Sequence, residues 1–189
     1  SNTFPTTNEF SSALSCIPNM ATMVATTVTM HRSDFAVQDA WQTKTFRCVE
    51  RTGDFKQFLS DAGLPRILGE IVERLSGVGA TMTMGIHDNM FYRTEHGLLK
   101  DKVNLPVPLD GSEVSDRNAL GHAITKRGSL VGGAVEVRSV TTCNGKGNNG
   151  MARYEIVGDE LLVTVANLDT GAAFRLRMER VDEAPSPWF

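Results

Sequence analysis

Between residues 80 and 181, short segments alternate apolar and polar residues, and turn signals separate them about every 8 to 12 residues. "ATMTMGI" (80–86) alternates Met and Thr, His87-Asp88-Asn89 turns the chain, and "MFYRTE" (90–95) returns. "KVNLPVPL" (102–109) carries Pro106 and Pro108, which suits only an edge, bent or irregular strand. "DGS" (110–112) reads as a further turn. "ALGHAITK" (119–126), Arg127-Gly128-Ser129 and "LVGGAVEVRSVTT" (130–142) read as a hairpin, and "CNGKGNNG" (143–150) reads as a loop. "MARYEIV" (151–157), Gly158-Asp159, "ELLVTVANL" (160–168), Asp169-Thr170-Gly171 and "AAFRLRMERV" (172–181) complete the run. A period of two cannot be satisfied by a helix, and so many short strands in a row predict an antiparallel barrel or sandwich.

The faces can be assigned strand by strand. Phe174, Leu176 and Met178 share one side of the last strand, and Arg175, Arg177 and Glu179 share the other. Leu161, Val163 and Val165 do the same in the strand before it, and Leu120, His122 and Ile124 fall together further upstream. One apolar and one polar face per strand is the pattern of a sheet closed around an interior. About eight to ten strands leave space inside such a barrel. Met82, Met84 and Met90 would line it, and methionine adapts to irregular apolar guests. A filled core satisfies the same alternation. The expected lining is Met82, Met84, Tyr92, His122, Tyr154, Val163, Val165, Leu176 and Met178.

One stretch breaks the strand pattern. "FKQFLSDAGLPRILGEIVERL" (55–75) follows the first strand, "AWQTKTFRCVERT" (40–52), and has apolar residues at helical spacing. Asp54 can cap a first helix, Gly63 suits its end, and Pro65 suits the first turn of a second. Helices this short are unstable alone and must rest an apolar face on something. The expectation is a helix-turn-helix lid over the barrel mouth, seating Phe58, Ile67, Ile71 and Leu75 over the interior.

Composition removes other readings. Net charge is −3 and the chain has no basic run, which disfavours nucleic acid as a partner. Three cysteines, Cys16, Cys48 and Cys143, are too few and scattered for a disulfide scaffold or zinc site, and His87, His96 and His122 do not have metal-ligand spacing. No metal and no cofactor other than a bound lipid or similar apolar ligand is expected. The most apolar run, "ALSCIPNMATMVATTVTM" (13–30), holds Pro18, Asn19 and several threonines and does not read as a transmembrane segment. "CNGKGNNG" lacks the ending and context of a phosphate loop. No catalytic residues are assigned: an enzyme on this scaffold would have to use His122 and Glu136 as acid and base, and fold alone confers no chemistry.

Three regions follow: residues 1–38 as an irregular or partner-docking extension, 39–182 as the barrel, and 183–189 as a tail. The extension carries little charge for a freely solvated tail, which points to a protein partner. That motivates an alternative role as a structural or accessory subunit of a larger assembly. The compartment is not written in the sequence, which suits a soluble protein of the cytoplasm or an organelle interior, or one peripheral to a membrane complex.

Over residues 40–181 the ordering of one strand, "DFKQFLSDAGLPRILGEIVERL" and then a strand meander resembles the intracellular lipid-binding proteins, the fatty-acid-binding and retinoid-binding group of the calycin superfamily. "MFYRTEHGLLKDKVNLPVPLDGSEVSD" looks like that family's strand pair after the helices, and "ARYEIVGDELLVTVANLDTGAAFRLRMERV" is similar to its final three strands. The resemblance implies a mainly β, ten-stranded up-and-down barrel with a two-helix lid, carrying fatty acids, retinoids or other apolar small molecules without catalysis. Many members hold a carboxylate with inward arginines and a tyrosine on the late strands. Those positions hold Tyr154, Leu176 and Met178 here, while Arg153, Arg175 and Arg177 have the outward parity. The family pattern would turn Glu136 and Arg138 inward and make Arg138 a ligand contact. Burial favours Val135 and Val137 inside instead. Leu98 falls where the family places a portal side chain.

Overall fold

The computed structural model describes residues 40–61, 77–96, 101–117, 122–143 and 146–182. The expected extension 1–38, the second lid helix with Ile67, Ile71 and Leu75, the portal residue Leu98 and the tail 183–189 lie outside the described residues.

The elements run β1 (Lys44–Gly53), α1 (Phe55–Asp61), β2 (Thr81–His87), β3 (Met90–His96), β4 (Lys102–Val103), β5 (Val107–Pro108), β6 (Asp110–Arg117), β7 (Ala123–Val131), β8 (Ala134–Cys143), β9 (Lys146–Val157), β10 (Glu160–Asn167) and β11 (Ala173–Val181). The hydrogen-bonded order is β4-β3-β2-β1-β11-β10-β9-β8-β7-β6, with β5 also on β3. Nearly every strand pairs antiparallel with its neighbour in sequence. The exception is β1 with β11, first against last, from Thr45↔Val181 to Gly53↔Phe174. That pairing curls the meander into an up-and-down barrel.

β4 and β5 are two pieces of one interrupted strand, so the described residues form the expected ten. Thr94 pairs with Val103 and Phe91 with Val107, a register that slips by one residue across 104–106. The interruption falls at Pro106, which has no N–H for the ladder. Here the chain crosses from one side of the seam to the other. Val107 is still on β3, whereas Asp110 already pairs with Ser129 of β7.

Three expected boundaries move. Residues 110–112 are the start of β6 and not a turn, residues 127–129 lie inside β7, and β9 begins at Lys146 within the expected loop. Gly128 explains the second case. A Cβ there would sit 2.5 Å from the Pro108 carbonyl oxygen, so this glycine permits a close approach between strands rather than a turn. The chain reverses instead at Gly132 and Gly133, both at positive φ (59° and 83°) as a two-residue hairpin loop requires.

The interior is not uniformly filled. One end is packed solid by Trp41, Phe46, Met84, Phe91, Leu161 and Met178. The Trp41 indole N–H donates to the Gly133 carbonyl at 2.9 Å and ties this plug to the β7–β8 turn. The other end carries α1. The Asp54 carboxylate accepts the Gln57 N–H at 2.9 Å, capping the helix as expected. Phe55 and Phe58 then meet the Phe174 ring edge-on, with centroids 4.7 and 5.0 Å away. The far end of α1 is held by Asn148, whose amide donates to the Asp61 carbonyl at 3.2 Å, and by the Thr170 hydroxyl on the Asp61 carboxylate. No helix among the described residues is long and apolar enough to cross a membrane.

Candidate functional site

Between the plug and α1 a cavity of about 170 Å³ remains, with Phe58, Arg93, Lys126, Val137, Ala152 and Tyr154 among its walls. Its geometry follows from register. The β2–β3 loop is only Asp88 and Asn89, both at positive φ (49° and 57°), so Ile86 faces Phe91 and Met84 faces Arg93. Residues opposite one another share a face. Phe91, Arg93 and Glu95 therefore join the inner face with Met82, Met84 and Ile86. Tyr92, expected in the lining, lies on the outside and is 41% exposed, and Met90 shares its outward parity.

On the opposite wall Val135, Tyr154, Val163 and Leu176 form a row across β8 to β11. The first three are buried. Arg138, also expected as a contact, is exposed on the outer face. Val135 and Val137 take the inner positions, as burial favours, and Glu136 pairs outside with Arg153 at 2.7 Å instead of with Arg138. Arg153, Arg175 and Arg177 face outward as expected. Arg177 bonds Glu50 and Glu160 at 3.0 and 2.9 Å. A larger hollow, about 480 Å³, lies among these charges on the outer face and is not interior.

The remaining expected residues divide by height. Met84, Val163 and Met178 are part of the solid plug, and Met82 packs beside it. Tyr154, Val165 and Phe58 reach the cavity, and Leu176 packs between the plug and the α1 cluster. His122 is half-buried just before β7 and does not line the cavity.

Apart from Tyr154, the polar groups of the interior come from residues that sequence reading missed. The Arg93 guanidinium donates to the Tyr154 hydroxyl, to Asn104 Oδ1 at 3.3 Å, and pairs with Glu95 at 2.9 Å. Burial works against its charge, but Tyr154 and Glu95 outweigh that and hold its pKa above the ordinary arginine value. Burial raises the Tyr154 pKa, only partly opposed by Arg93, so the phenol keeps its proton. An inward arginine–tyrosine pair thus exists, but its arginine comes from the early strand β3 and not from the late strands. The signal was the two-residue turn at Asp88–Asn89, which sets the parity of β3.

Across the cavity Lys126 Nζ donates to Asp116 Oδ2 at 2.6 Å, and their side chains are only 13% and 20% exposed. The Lys126 bond holds the Asp116 pKa below the usual carboxylate value, against the opposing effect of burial. A carboxyl with a depressed folded pKa contributes stability above its unfolded pKa, near 3.9, and loses it as pH falls through the folded value. Asp116→Asn is therefore expected to be less stable than the parent at pH 7, with the gap closing below about pH 4. Urea midpoints measured from pH 7 to pH 3 check this; a gap that stays constant would show that Asp116 is not the titrating partner.

A hydroxyl–imidazole–carboxylate chain lies on the outside. The Thr83 hydroxyl is 2.7 Å from His96 Nε2, and His96 Nδ1 is 3.0 Å from Asp101. Thr83 is also bonded to Thr45 at 2.8 Å and sits between two ladders. Amides engaged in ladders are not available to stabilise an oxyanion, so the chain ties β1, β2 and β3 together.

No protein-family model and no curated protein matches the sequence. Solved structures do match in fold. A Schistosoma mansoni fatty acid binding protein in complex with arachidonic acid superposes with a TM-score of 0.62 at 13% identity, covering 77% of this chain and 99% of that one. Echinococcus granulosus fatty-acid-binding protein 1 gives 0.60 at 12%, covering 76% and 98%. The fatty-acid-binding protein isolated from Manduca sexta gives 0.55 at 19%, covering 74% and 97%. The fold shared with these structures is the one the sequence resemblance implied.

Proposed function

We propose that this fatty-acid-binding-protein-like barrel binds a small amphiphilic molecule in its interior and does so without catalysis. The observation that carries the reading is the cavity between the plug and α1: apolar along its walls at Val137, Ala152 and Val165, with the half-buried Arg93 bonded to the buried Tyr154 at its floor. Apolar burial supplies affinity at about 25 cal/mol per Å², and a charge-assisted bond to the guanidinium fixes the acid end. The similar Schistosoma protein in complex with arachidonic acid supports a lipid-like guest. At about 170 Å³ the cavity falls below the roughly 300 Å³ where pockets for drug-sized ligands begin, so a long chain would need the α1 end to open.

The test is uptake of a fluorescent fatty acid, competed by unlabelled carboxylic acids of graded length. Saturable, competable binding is expected. Arg93→Met is expected to weaken it by at least about tenfold, since a hydrogen bond to a charged group contributes ~1.5–3 kcal/mol. Absence of uptake across the series would overturn the proposal.

A further inference from the structure

The cavity presents hydrogen-bond donors at both ends. At the floor the Tyr154 oxygen accepts from Arg93, and among the described residues its own O–H has no acceptor. At the α1 end Lys126 and Ser139 stand opposite each other in the β7–β8 ladder, and both line the cavity. An ammonium has three donors, and Lys126 gives one of them to Asp116. The Ser139 hydroxyl has no hydrogen-bond partner among the described residues. Its ladder partner is Gly150, where a Cβ would lie 2.9 Å from Ser139 Oγ, so glycine keeps space around the hydroxyl. Gly150 and Tyr154 are four residues apart on β9, which separates the two polar ends by ~13 Å at ~3.3 Å per residue.

Resting on the carrier reading above, we propose that the preferred ligand is a short bipolar acid. Its carboxylate sits at Arg93 and Tyr154, and a second acceptor group sits at Lys126 and Ser139. The simplest member of this class is an α,ω-dicarboxylate. A plain alkyl acid would press its methyl end against a partly buried ammonium and strip water from it with nothing in exchange. The small volume also selects against long chains.

The experiment compares suberate, sebacate and dodecanedioate with octanoate, decanoate and dodecanoate as competitors of a bound fluorescent fatty acid. At matched length the diacid is expected to bind about tenfold tighter. Lys126→Met is expected to abolish that ratio. Ser139→Ala, which leaves the Lys126–Asp116 pair in place, is expected to reduce it several-fold and serves if Lys126→Met does not fold. If monoacids bind and the diacids are no tighter, the bipolar assignment is wrong while the carrier reading stands. If neither class binds, both fall.

Discussion

Replacing Trp41 with alanine is expected to destabilise the barrel by about 3–5 kcal/mol, read as a lowered urea midpoint at unchanged slope. Trp41 is 1% exposed in the solid end of the interior. It meets Phe91 edge-on with ring centroids 5.9 Å apart, and its indole N–H holds the Gly133 carbonyl. Truncation removes the ring contact and the hydrogen bond together, and leaves a void walled by strands that pair on both sides and have little freedom to collapse. Its backbone carbonyl still accepts the Ile86 N–H at 2.9 Å, so the strand start should persist. A loss below about 1 kcal/mol would mean that this end is not the packed anchor that the burial pattern describes.

The second large effect concerns binding. Ala152→Phe is expected to lower affinity for any interior ligand by more than a hundredfold, with stability within about 1–2 kcal/mol of the parent. Ala152 sits between Val137 and Val165 in the ladders, where all three face the cavity. A phenyl ring placed there enters existing space, unlike one forced into a packed core. Uptake that survives this substitution would move the site out of the barrel, to the charged outer hollow at Arg175 and Arg177.

The late strands were legible from sequence because their turns were. Gly158-Asp159 and Asp169-Thr170-Gly171 fix the parity on either side of them, so Leu161, Val163, Phe174 and Met178 were placed inside and Arg175 and Arg177 outside. The early strands were not, and one residue accounts for it. His87-Asp88-Asn89 reads as a three-residue turn, but His87 is still paired, with Met90. A one-residue slip exchanges the two faces of a strand. Tyr92 was thereby put inside, and Arg93, the principal inward cation, was overlooked. Gly128 misled for a different reason. Glycine marks both turns and close strand contacts, and only the Pro108 carbonyl against it separates the two. The Lys126–Asp116 pair was hidden behind the same misplaced turns, since its parity depends on β6 starting at Asp110.

The ladder between β1 and β11 has a consequence for biosynthesis. The chain leaves the ribosome N-terminus first, so Lys44–Gly53 waits, with one edge unsatisfied, until Ala173–Val181 has been made. Contacts this distant in sequence bring a slow, late step to folding. Until β11 joins them, the ladders leave two separate sheets, β1 to β5 and β6 to β10, and open margins of this kind invite chaperoning.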